Sequence, residues 1–157
     1  MFPLMPPEVF DEWLVPIIAH QGWPFTSIYE SIYTENWSGL FVDVSLAEWA
    51  SFAWKKDLIQ KGDLRLHPES VKLIMDIVMQ FKKLNAPLTR TPITGSRERV
   101  DSALSFLVSN SSIPGFLTGH STGNGIRLVD GHHRMAACWI ANASLTMDIP
   151  CWIAPVR

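Results

Sequence analysis

The chain holds only two cysteines, Cys138 and Cys151, and no CxxC pair. Two thiols so placed build neither a zinc site nor a disulfide framework. No apolar run approaches the roughly 18 residues of a membrane-spanning helix. The longest near the start, "WLVPII", is broken by Pro16. No basic stretch leads into an apolar one as in a secretion signal. These absences predict a cytoplasmic protein with reduced cysteines and no membrane insertion. Charge of one sign is also lacking. With a formal net charge of −2, no global field gathers nucleic acid, so a phosphate site has to be a local patch. Internal repeats and low-complexity segments are missing too.

What is there is apolar and aromatic. Hydrophobic residues make up 47% and charged residues 18% of the 157, which excludes disorder. The length suits a single domain over 1–157. Within it, 1–37 reads as a helical extension and 38–157 as an α+β core, a small mixed sheet flanked by helices. Pro6 and Pro7 open an amphipathic helix over 6–20, kinked at Pro16. "SGLFVDVSL", residues 38–46, is a strand and "AEWASFAWKK" a short helix. From Pro68, the stripe Val71, Ile74, Ile77, Val78, Phe81 and Leu84 predicts the clearest helix. Ser96 is placed to cap a second, "RERVDSALSFLV". "IPGFLTG" and "IRLVD" are strands joined by a hairpin at Asn124-Gly125. "HHRMAACWIANA" is a helix, and "MDIPCWIAPV" a last strand.

The chemistry concentrates in "LVDGHHRMAA", residues 128–137. A strand ends in Asp130-Gly131 and a helix begins at once. Gly131 permits the sharp turn. The first helical N–H groups, at His132, His133 and Arg134, lack intrahelical partners and point to the positive end of the dipole, where anions bind. His133 and Arg134 add side-chain donors, and an arginine fork suits phosphate oxygens. Ala136 and Ala137 keep the helix thin against the sheet. The bland alternative has Asp130 capping the helix and the histidines solvated. A metal site held by histidines is disfavoured, because His132 and His133 diverge by about 100° on a helix and His120 completes no ligand spacing.

The stretch resembles the signature of the ParB/sulfiredoxin superfamily. The equivalent turn reads roughly "GERRxRAA" in ParB-type partition proteins and "GCHRxxA" in sulfiredoxins. In the superfamily's free-serine kinases it is close to "DGHHR". The resemblance spans about residues 93–155, with the helix and strand before the motif in matching order. It implies a ParB/sulfiredoxin-like α+β domain whose turn binds the phosphates of ATP, CTP or a related nucleotide with Mg²⁺. Carried over, Gly131, His133 and Arg134 match phosphate-contacting positions, and His132 joins them at the turn. His132 stands where sulfiredoxin has its cysteine, which argues against sulfinic-acid reduction, and Cys138 lies a full turn away. Small plasmid-borne members lack a DNA-binding domain and resemble this chain in size. They include oncogenic-suppression and fertility-inhibition proteins, associated with ATPase and DNase activity and acting against conjugation. That likeness implies an ATPase, a deoxyribonuclease activity, and DNA or a secretion or conjugation protein as partner.

Other polar residues fit around this reading. Asp130 and Glu48 are the candidate catalytic carboxylates, beside His133 and Arg134. Asp130 is also the candidate Mg²⁺ ligand. Lys55 and Lys56, interleaved with Trp49, Phe52 and Trp54, are candidate DNA contacts, as are Arg97 and Arg99. Arg127, between Ile126 and Leu128, is expected on the open face of the sheet. Two rival functions remain at this level. One is a small-molecule kinase of the free amino acid type. The other is a non-enzymatic interaction protein with a vestigial nucleotide site.

Overall fold

The computed structural model describes residues 6–9, 11–12, 52–82 and 96–155. The predicted strand over 38–46, Asp43, Glu48, Trp49, Arg90 and most of the predicted helix over 6–20 lie outside them. Of that helix a single turn is described, α1 (Pro7–Val9). The elements that follow are β1 (Lys55–Gln60), α2 (Pro68–Phe81), α3 (Ser96–Asn110), β2 (Leu117–Thr122), β3 (Gly125–Asp130), α4 (His132–Ile140) and β4 (Asp148–Ala154). The protein is thus α+β, and its described residues form a mixed four-stranded sheet in the order β1-β4-β2-β3. β4 runs antiparallel to β1 and parallel to β2, and β3 returns antiparallel to β2.

Local chemistry accounts for the helices. Pro68 occupies the first turn of α2, and the His67 ring accepts the Glu69 N–H at 3.1 Å. The stripe predicted for α2 faces inward, with Ile74, Ile77 and Val78 buried. α4 ends with Asn142 in the left-handed region (φ 49°), a common helix stop. Ala136 and Ala137 are buried, as expected of a thin helix pressed on a sheet. The core lies between one sheet face and the helices: Leu117, Leu128, Ile149 and Cys151 pack with Ile74, Val100, Leu107 and Met135.

Three expectations shift. Lys55 and Lys56 belong to strand β1, not to the end of a helix, because their backbone pairs with Ile153 and Trp152 of β4. The strand read over "IPGFLTG" begins later, at Leu117, since Pro114 lacks the N–H that a ladder needs. The hairpin turn centres on Gly123-Asn124, with the left-handed position at Gly125 (φ 109°) instead of Asn124. The Thr122 hydroxyl fixes this form, donating to the Gly125 carbonyl at 2.6 Å and accepting the Asn124 N–H at 3.1 Å.

The outer edge of β3 is covered. Ile126 exchanges backbone hydrogen bonds with Arg65 and His67, both 2.8 Å, and Leu128 N–H donates to the buried Ser70 hydroxyl at 2.9 Å. This edge carries the chain straight into Gly131, the N-cap of α4, at φ 103°. A β-carbon there would run into the Leu117 side chain. Gly131→Ala should therefore destabilise by about 1–3 kcal/mol, as strained backbone and overpacking act together. A melting temperature equal to the parent's would refute this account of the turn.

Candidate functional site

The Gly131 turn gathers side chains from four parts of the chain. From α4, Arg134 donates through Nη1 to the Phe116 carbonyl just before β2. Its Nη2 stands 3.6 Å from Asp130 Oδ2, an i,i+4 ion pair across the turn. Arg134 is 21% exposed, so its substitution should cost stability as well as affinity. His133 shares a 3.0 Å hydrogen bond between its Nε2 and Ser96 Oγ, at the first residue of α3. The buried Ser96 hydroxyl is thus spent on His133, where the sequence suggested a helix cap. Nor does Asp130 cap α4. Gly131 holds that position with no side-chain cap, and the Asp130 carboxylate accepts the Gly131 N–H from one residue behind.

Burial pushes the Asp130 carboxyl above its ordinary range, and the nearby Glu12 charge adds to this. Arg134, the Gly131 N–H and Arg99 pull it down without winning. A half-buried carboxyl whose pKa burial raises suits proton transfer. Among the described residues no three His, Cys, Asp or Glu side chains converge on one point. At the turn Asp130 is shared with Arg134 and Glu12 is the other nearby carboxylate, so the described residues alone do not amount to a built Mg²⁺ site.

One row of side chains crosses the polar face of the sheet. Lys56 faces Trp152, Trp152 faces Thr118, and Thr118 faces Asp130. His120 and Arg127 form a second pair on the same face. That face is not open as expected: Thr118 is 0% exposed and His120 is buried. The candidate DNA contacts do not form one patch. Lys55 and Lys56 sit on β1, at the far edge from β3, about 14 Å across three strand spacings. Lys56 Nζ is paired with Glu8 at 3.1 Å. Arg97 turns from the site to donate to the Phe81 carbonyl at 3.1 Å, its guanidinium 4.7 Å over the Phe81 ring. Arg99 alone of the four lies within electrostatic reach of Asp130.

His132 lies half-buried at the first helical position of α4. Both thiols sit in the core, where burial pushes Cys138 up to about 11 and Cys151 up to about 12. Neither is a thiolate at neutral pH. A groove of about 270 Å³ lies elsewhere, lined by Lys61, Leu66, Val71, Met135, Trp139 and Leu145. It contains none of the predicted site residues. No helix among the described residues is long and apolar enough to cross a membrane. Sequence reading missed Ser96 as a partner of His133, and Phe116, Thr118 and Glu12 altogether. A backbone carbonyl and residues more than a hundred positions apart leave no local pattern. Comparison with protein-family models, with characterised proteins and with solved structures gives no match to this chain.

The Asp130 environment fixes a pH dependence. Folding raises its pKa, so folding takes up a proton between the unfolded and folded values. Stability then falls as pH rises through that window, and the ionised group opposes folding above it. Asp130→Asn removes the effect. The variant should melt at or above the parent's temperature at about pH 7, with the difference shrinking toward about pH 4, near the unfolded value. A deficit that grows with pH would show instead that the Arg134 ion pair outweighs burial.

Proposed function

We propose that the Gly131 turn holds the phosphates of a nucleoside triphosphate, ATP with Mg²⁺ foremost, and that the protein hydrolyses it. The observation carrying this reading is the start of α4. No side chain caps it, and Arg134, His133 and Arg99 stand around it. Backbone N–H groups at His132 to Arg134 would take the phosphate oxygens. Arg134 uses one N–H on Phe116 and points another at Asp130. Its remaining donors suit the charge that builds on phosphoryl transfer. Ser96 fixes the His133 ring, so that its direction is set before ligand arrives. Asp130, with its raised pKa, is the group to take a proton from attacking water.

The likeness of "DGHHR" to the ParB/sulfiredoxin signature supports the same reading, as does the strand–glycine–helix order around it. DNA cleavage would extend this phosphate chemistry, with Arg99 the nearest of the proposed basic contacts. One rival is favoured by a specific observation. Arg134 and His133 are both bonded internally, as they would be in an interaction protein whose turn is a structural lock.

Calorimetry with ATP·Mg²⁺, run beside phosphate release and DNA cleavage assays, separates the two. Charge-assisted hydrogen bonds contribute roughly 1.5–3 kcal/mol, so Arg134→Ala should weaken binding about ten- to a hundredfold. Arg134→Lys keeps the charge, loses the fork, and should fall between. Melting curves on both variants show how much of any loss is structural. If none of the four common nucleoside triphosphates gives heat at millimolar concentration with the parent, the turn is a lock and the interaction reading stands.

A further inference from the structure

The N-terminal segment lies across the polar row of the sheet and reaches the turn. Glu8 Oε2 accepts two hydrogen bonds, from Lys56 Nζ at 3.1 Å and from Trp152 Nε1 at 3.0 Å. Lys56 also stands 5.6 Å from the centroid of the Trp152 ring. These are the first two members of the row that ends in Thr118 and Asp130. Four residues on, Glu12 Oε2 lies against Gly115. A β-carbon on Gly115 would stand 3.2 Å from that oxygen and 4.0 Å from Arg134 Cζ, so the carboxylate and the guanidinium flank one glycine. Two strand spacings, about 9.6 Å, separate β4 from β3, which the two glutamates with their side chains can span. Between them Val9 is fully buried, as is Thr118 in the middle of the row.

We propose that the segment carrying Glu8 and Glu12 is an autoinhibitory strap: Glu8 clips it to β1 and β4, and Glu12 holds a negative charge where phosphate would approach Arg134. The proposal rests on the phosphate reading of the turn and adds its regulation. A polyphosphate and Glu12 repel each other across the same guanidinium. Glu12 is exposed and Asp130 half-buried, so Glu12 is the carboxylate able to withdraw. Binding of a polyanion therefore loosens the Glu12 contact, and any partner that draws the segment off the sheet strengthens polyanion binding.

The test uses the full chain with inorganic pyrophosphate and ATP·Mg²⁺ as probes. Glu12→Gln keeps the side chain's size and removes its charge. It should raise affinity for both probes roughly three- to tenfold at low salt, an effect that fades as salt screens the charge. Glu8→Gln, which frees the other clip, should act in the same direction. In the parent, hydrogen exchange at residues 7–12 should quicken when pyrophosphate binds. Parent and Glu12→Gln binding equally, or exchange in this segment unchanged at saturation, overturns the strap while the phosphate site stands. Failure of both proteins to bind either probe overturns the phosphate site and the strap with it.

Discussion

The structure turns on one close approach, that of Gly131 to Leu117. β3 must end and α4 begin within a single residue, with α4 folded back on the core face. Only a residue without a β-carbon leaves the Leu117 side chain its place. Everything at the turn follows from this contact. Asp130 is left as the last residue of β3, on the polar face. Arg134, one turn along α4, comes back to meet it and to reach the Phe116 carbonyl. The same approach sets α4 beside α3, so that His133 finds Ser96. A backbone constraint thus becomes a constellation of charged and ring donors.

The two faces of the sheet carry different tasks. The core face is filled by Leu117, Leu128, Ile149 and Cys151, whose burial is the main source of stability. The other face is polar and yet largely covered. Thr118 and His120 have almost no exposure, and Lys56 is engaged by Glu8 and stands over Trp152. Buried polar groups hold a structure to one arrangement only when their partners are in place. For this face part of the partnership comes from the N-terminal segment, far away in sequence.

How much of this was legible depends on range. The helices over Pro68–Phe81 and from Ser96, and the last three elements, could be read because periodicity and turn residues act within a few positions. Gly131 could be read as the turn for the same reason. Lys55 and Lys56 were misassigned because β1 is exposed at nearly every position and shows no alternation; only pairing with β4 makes it a strand. Ser96 carried the signal of a helix cap, and nothing local separates a capping serine from one bonded to a histidine 37 residues away. The anchoring of Arg134 is not legible in the sequence, because its acceptor, the Phe116 carbonyl, has no side-chain identity to betray it.

The charge balance of the turn decides which of its contacts can change. Arg134 and Arg99 face Asp130 and Glu12, two cations against two carboxylates. A phosphate added to this balance requires a negative charge to leave or a proton to enter. Arg134 is the less free to move, because the Phe116 carbonyl holds it in the half-buried corner beside Asp130. Moving Glu12 is cheap by comparison, because exposed ion contacts are worth about 0–1 kcal/mol and water solvates the freed carboxylate. Asp130 can also respond without moving, because burial already raises its pKa and a second negative charge beside it acts in the same direction. The lock between Arg134, Asp130 and Phe116 therefore stays while its surroundings adjust. An internally bonded arginine is thus compatible with the proposed phosphate site as well as with a structural lock, since the bonds that hold it also keep it aimed at the turn.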